Sequence, residues 1–130
     1  MNYSKPTQRQ ESILKSTLDC CFTVHTKLGP GLLESAYEKC LAHELSKKGH
    51  QVKLQQPMPL VYDELKLDAG YRIDLFVDQE IIVELKSVDA LAPIHMAQIL
   101  TYMKLAKVKL GLLVNFNVKH LKDGIKRIVL

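Results

Sequence analysis

The hydrophobic and polar positions of this chain change period several times, and each change marks an element. From about Gln8 to Leu28, Ile13, Leu14, Leu18, Cys21, Phe22, His25 and Leu28 fall near one helical stripe, which predicts a first helix. Ser4 or Thr7 can cap its start, Gly29 stops it, and Pro30 cannot continue it from inside. A second helix is predicted from about Leu32 to Lys48, ending at Gly49, with Glu34, Tyr37, Leu41 and Glu44 on one face. The period then shortens to two. Gln51 to Gln56 alternates Val52 and Leu54 against polar residues, and Pro57 and Pro59 confine this run to strand ends or an edge. Leu60–Tyr62 and Leu65–Leu67 flank an Asp63-Glu64 turn.

The stretch Tyr71–Lys86, YRIDLFVDQEIIVELK, has two apolar-rich runs around a turn at Asp78 and Gln79. Paired as a hairpin, it would put Ile73, Leu75, Val77, Ile81, Val83 and Leu85 on one face. Asp74, Phe76, Ile82, Glu84 and Lys86 would take the other. That requires a register pairing positions whose numbers sum to an even value, for example 74 opposite 84, because a slip of one residue would split the apolar set. Two carboxylates and an ammonium then share a partly buried face with Phe76 and Ile82, which is costly unless they are paired or bind a metal.

Beyond Lys86 the helical period returns. Pro93 suits the first turn of a helix running to about Ala106. His95, Gln98 and Tyr102 form a polar stripe on it, with Met96, Ile99, Leu100 and Met103 on the other sides. Val108 to Phe116, VKLGLLVNF, reads as a central buried strand. Residues 117–123 form a loop, and Ile125 to Leu130 is a short last strand. No repeat or linker interrupts the chain, so one domain over residues 1–130 is expected: an α/β sandwich around one mixed sheet. The strand–helix–strand crossover should make the last long strand parallel to its partner.

Composition changes this picture little. At 130 residues, 47% hydrophobic and 25% charged, the chain is long enough for a core of its own. A net charge of +4 permits nucleic-acid binding without requiring it. Cys20, Cys21 and Cys40 have no metal-finger spacing and read as reduced, mostly buried thiols of an intracellular protein. The start, MNYSKPTQRQES, has no apolar signal region. The uncharged stretch from Ala90 to Met103 contains His95, Gln98 and Thr101 and is too short to span a bilayer. A cytoplasmic protein with no membrane partner is expected. Gly29-Pro30-Gly31 is a turn rather than a phosphate loop, since no Lys-Ser/Thr pair follows and Glu34 would repel phosphate. His25, beside the apolar stripe, reads as a packing histidine.

The chemistry lies in Asp74 followed by Glu84-Leu85-Lys86, a D-x9-E-x-K pattern. Two close carboxylates repel, so one holds a proton or a cation sits between them. Mg²⁺ suits such a pair because it takes one or two carboxylates and keeps several waters. Lys86 can then orient or deprotonate an attacking water and offset charge on a phosphate. The pattern alone is weak, for a cross-strand salt bridge has the same residues. Taken singly, Glu34 reads as a helix N-terminal acid and Tyr37 as a half-buried packing residue.

Together these residues resemble the PD-(D/E)XK nuclease superfamily, with Asp74, Glu84 and Lys86 as its signature. Gln98-Ile99-Leu100-Thr101-Tyr102 is similar to the QxxxY element of RecB-type branches, and Gly31 to Tyr37 matches the GxxExxY motif of a small family within that superfamily. The resemblance covers roughly residues 10–130. Arg72-Ile73 stands where the superfamily name has a proline before the aspartate. The resemblance implies a restriction-endonuclease-like α-β-β-β-α-β core, a central mixed sheet flanked by helices, with an extra N-terminal helix. It implies a Mg²⁺ (or Mn²⁺) site held by Glu34, Asp74 and Glu84, with Lys86 and Gln98 catalytic and Tyr37 and Tyr102 in substrate contact or support. The implied activity is metal-dependent hydrolysis of phosphodiesters in nucleic acid, with DNA expected. The alternative is a catalytically silent module that binds nucleic acid or a partner on the same fold. Lys104, Lys107, Lys109, Lys119, Lys122, Lys126 and Arg127 could line a phosphate track or form an ordinary solvated surface. A homodimer or a protein partner stays open.

Overall fold

A computed structural model describes residues 5–68 and 70–130. Helix α1 spans Gln8–Leu28 and starts in a capping box. Thr7 Oγ1 accepts from the Gln10 N–H at 3.1 Å, and Gln10 Oε1 accepts from the Thr7 N–H at 2.8 Å. Thr7 is therefore the cap, while Ser4 lies outside the described residues. Helix α2 spans Glu34–Lys47, two residues later at its start than the pattern suggests, because Leu32 and Leu33 stay extended or bent in the approach to it.

The strands are β1 (Val52–Pro57), β2 (Leu60–Tyr62), β3 (Leu65–Leu67), β4 (Arg72–Val77), β5 (Ile81–Lys86), β6 (Leu110–Asn115) and β7 (Ile125–Val129). Helix α3, Pro93–Ala106, joins β5 to β6, and a 3₁₀ turn at Leu121–Gly124 precedes β7. Five strands form a sheet in the order β1-β4-β5-β6-β7; β5 and β6 run parallel and the other neighbours antiparallel. The expected parallel crossover is thus present, and α2-β1-β4-β5-α3-β6 supplies the restriction-endonuclease-like core, with α1 as the additional N-terminal helix. β2 and β3 pair only with each other, and Val61, Tyr62 and Leu65 on them are exposed. β1 is an edge strand ending at Pro57, and this leaves Leu54 exposed.

Each face of the sheet has its own core. Leu75, Val77, Ile81, Val83 and Leu85 pack with Leu110, Leu112 and Val114 under α1 and α2, against Leu14, Cys21, Val24, Tyr37 and Leu41. Ile82, Leu113 and Ile128 pack under α3 against Ile99, Tyr102 and Met103. Ile73 departs from the expected alternation: it is fully buried but belongs to the α3-side cluster, not to that of Leu75. The regular pairing of β4 with β5 ends at Leu75↔Val83, and its pairing with β1 skips the step between Leu54↔Leu75 and Gln56↔Ile73, where Gln55 has positive φ, so the alternation breaks there. Gly111 lets α3 lie close to β6, since a Cβ there would stand 2.7 Å from Met103 Sδ and 3.2 Å from Ile99 Cδ1.

His25 is a satisfied packing residue, with Nε2 2.8 Å from the Val118 carbonyl oxygen and its ring tilted toward Phe116. The three cysteines are free thiols; Cys20 and Cys21 are buried, and burial pushes the Cys21 thiol up. Among the described residues no helix is long and apolar enough to cross a membrane.

Candidate active site

The site is built where β4 and β5 stop pairing. Leu75↔Val83, Phe76↔Ile82 and Val77↔Ile81 fix a register that continues to 74 opposite 84. At that step the backbone ladder gives way to side chains. The Asp74 N–H donates to Glu84 Oε1 at 3.2 Å, and the Leu85 N–H donates to Asp74 Oδ2 at 2.8 Å. Both backbone donors are satisfied by carboxylates, so the strands can part without leaving an unpaired buried N–H.

Glu84 is 4% exposed. Burial, then the neighbouring Asp74 charge, pushes its carboxyl up to about 9, with Lys86 acting weakly in the other direction. Glu84 therefore carries a proton at neutral pH in the metal-free protein, as expected where a buried carboxyl faces a second one. Lys86 ends β5, is half-buried, and lies in register with Asn115 of β6.

Glu34 opens α2, where the helix dipole favours an acid. Its Oε1 accepts from the Ser87 N–H at 3.3 Å, and Ser87 Oγ donates to the Leu32 carbonyl at 2.7 Å. Two bonds thus tie the approach to α2 to the residue just after β5. Tyr37 is fully buried rather than half-buried. Its hydroxyl donates to the Gly29 carbonyl at 2.6 Å and accepts from the Leu32 N–H at 3.1 Å, while its ring stacks on Phe116 with centroids 4.5 Å apart. Gly29 and Gly31 both have positive φ, so the turn that Tyr37 pins is one that glycine adopts most easily. Tyr37 shapes the loop leading to Glu34.

A cleft of about 600 Å³ runs between these elements, lined by Leu32, Leu33, Glu34, Glu38, Asp74 and Ser87 among others. Leu33 at its lip is 76% exposed. From the α3 side, Gln98 Nε2 donates to the Tyr102 hydroxyl at 3.1 Å. Burial raises the Tyr102 pKa, opposed by that hydrogen bond and reinforced by the Glu84 and Asp74 charges.

The structure therefore brings Asp74 and Glu84 together directly and sets Glu34 across the same cleft from Asp74. Among the described residues no three His, Cys, Asp or Glu side chains converge as a ready-made metal set. Arg127, one of the cations counted toward a phosphate track, is held by Glu11 through two hydrogen bonds of 2.6 Å.

Three residues at the site carry no motif signal. Glu38, one helical turn after Glu34, is buried and lines the cleft; burial raises its pKa, against a hydrogen bond from Gln55. The i,i+4 spacing from Glu34 is the only sequence signal that could have found it. Gln55 donates to Glu38 Oε1 at 2.7 Å and to Asp74 Oδ1 at 3.2 Å. Asn115, buried at the end of β6, accepts from the Val88 N–H at 3.1 Å and donates to the Val88 carbonyl at 2.9 Å. It fixes the segment that follows Lys86.

The family model of the PD-(D/E)XK nuclease superfamily matches residues 11–128. No curated protein and no solved structure matches the chain.

Proposed function

The chain belongs to the PD-(D/E)XK nuclease superfamily, and on that premise we propose that it is a divalent-metal-dependent nuclease of the GxxExxY branch. Membership implies interaction with nucleic acid; DNA is the substrate we favour. The observation that carries the reading is the pairing of Asp74 with a buried Glu84 at the point where β4 and β5 part. A buried carboxyl that must hold a proton beside a second carboxylate is a poor arrangement for stability and a good one for a hard cation, which would take that proton's place. Their donor chemistry fits Mg²⁺ or Mn²⁺, which binds through one or two carboxylates and retains water. Asp74 and Glu84 would hold the ion, with Glu34 reaching it from α2. When bound, such an ion lowers the pKa of its water and offsets charge on a phosphoryl oxygen.

The chain's own residues do the rest. Lys86 presents an ammonium two residues after Glu84 on the same strand, so it can orient the attacking water and offset charge growing on the phosphate. Gln98 contacts the substrate or steadies the site through Tyr102. Tyr37 holds the Gly29–Leu32 turn and with it the entrance to the cleft. The exposed Lys104, Lys107, Lys119, Lys122 and Lys126 would make phosphate contacts.

Purified protein given Mg²⁺ or Mn²⁺ should cut DNA, and Asp74→Asn or Lys86→Ala should abolish cutting with the fold intact. Cutting that survives both substitutions would rule the site out. The silent binding module is favoured by one observation: the Glu34 carboxylate is engaged by the Ser87 N–H. Salt-dependent DNA binding with no cleavage under either metal would select that alternative.

A further inference from the structure

Gln55 lies inside β1, in register opposite Asp74, since its neighbours Leu54 and Gln56 pair with Leu75 and Ile73. Its φ is +50°. The other described non-glycine residues with positive φ, Asp63, Asp78, Gln79 and Lys107, sit in turns or at the end of α3. A left-handed glutamine inside a strand costs free energy and forgoes regular pairing. What the conformation gains is reach. One side-chain amide donates to both Glu38 Oε1, at 2.7 Å, and Asp74 Oδ1, at 3.2 Å. The Leu85 N–H holds Asp74 Oδ2 at 2.8 Å, so each oxygen of Asp74 is fixed by one donor.

We propose that Glu38 and Gln55 are positioning residues for Asp74: the buried Glu38 anchors the Gln55 amide from α2, and Gln55 aims the Asp74 carboxylate. Neither touches the reacting atoms. The inference rests on the reading of Asp74 as a metal-binding carboxylate, but its first readout needs no metal.

Gln55→Gly deletes the amide while suiting the backbone, because glycine adopts φ +50° readily. Its melting temperature should equal or exceed that of the wild type. In the metal-free protein, hydrogen exchange of the Leu85 amide should accelerate by about tenfold or more once Asp74 is free to turn, with Val83 unchanged. Calorimetric titration with Mn²⁺ alone should show affinity weakened by about 10–100-fold. Glu38→Gln keeps a carbonyl oxygen for the Gln55 amide and should stay close to wild type in both readouts, whereas Glu38→Leu should behave like Gln55→Gly. Wild-type Leu85 exchange in Gln55→Gly overturns the proposal, and so does a Glu38→Gln variant as impaired as Glu38→Leu. Absence of Mn²⁺ binding in the wild type overturns the nuclease reading instead, and Leu85 exchange then decides the positioning role alone.

Discussion

Asp74 and Glu84 face each other across β4 and β5 with the Asp74 N–H bonded to the Glu84 carboxyl at 3.2 Å. The bond couples the backbone of one acid to the side chain of the other, so a change in either is felt by both. Asp74→Asn should therefore lower cleavage by at least about 100-fold, because a neutral amide holds the ion far more weakly than a carboxylate. Circular dichroism and melting should stay close to wild type, because the amide can still accept from the Leu85 N–H.

The proton on Glu84 makes stability depend on pH. Its folded pKa, about 9, lies above the ordinary value of 4.5. Between those values the folded state holds a proton that the unfolded chain releases, so stability falls as pH rises across the window. With a chelator present, melting temperature should decline from pH 5 to pH 9, by several degrees in all. Glu84→Gln should flatten the decline and melt higher than wild type at pH 8. An identical slope in both proteins would contradict the assignment.

A second titrating contact works in the opposite sense. His50 Nδ1 lies 2.6 Å from Asp78 Oδ2, and His50 Nε2 lies 2.7 Å from Ser16 Oγ. Burial works against ionised Asp78, but hydrogen bonds from His50 and the Gln51 N–H outweigh it and lower its pKa below the ordinary 3.8. The stability this contributes is present above 3.8 and lost as pH falls through the lower folded value. Asp78→Asn should cost about 1–2 kcal/mol in urea denaturation at pH 7, and the gap to wild type should close in acid.

Tyr37→Phe removes the hydroxyl that joins Gly29 to Leu32 and leaves the half-buried Gly29 carbonyl without that donor. A loss of about 1–3 kcal/mol is expected. Proteolysis of the native protein should become faster at residues 29–33, which is the part of the change a uniform loss of stability would not produce.

How far the sequence speaks depends on the length of chain each relation spans. That Asp74 and Glu84 share a face was legible because a one-residue slip would turn Leu75, Val77, Ile81, Val83 and Leu85 away from the α1–α2 core. Ile73 was not, because alternation holds only along a regular ladder, and at Asp74 the pairing with β5 and that with β1 are both interrupted. Tyr37 could be placed on the right helix, but its partner Phe116 is 79 residues away and no local pattern announces the stack. Gln55 and Asn115 were invisible for the same reason. Glu38 looked like any acid on a helix surface, and only the approach of β1 buries it.

The first half of α1 carries three polar ties to the sheet and its turns, and His25 near its other end carries one to Val118 after β6. Gln10 donates to Glu80 at 2.9 Å, Glu11 grips Arg127 at 2.6 Å, and Ser16 meets His50 beside Asp78. All three lace the helix to the end of the sheet that carries the β4–β5 turn. At the far end, where the cleft lies, α2 is fastened to the chain after β5 only by the Glu34–Ser87 and Ser87–Leu32 bonds among the described hydrogen bonds between those segments. Both of those ties pass through Ser87, so a single residue joins the approach to α2 to the end of β5 at the cleft.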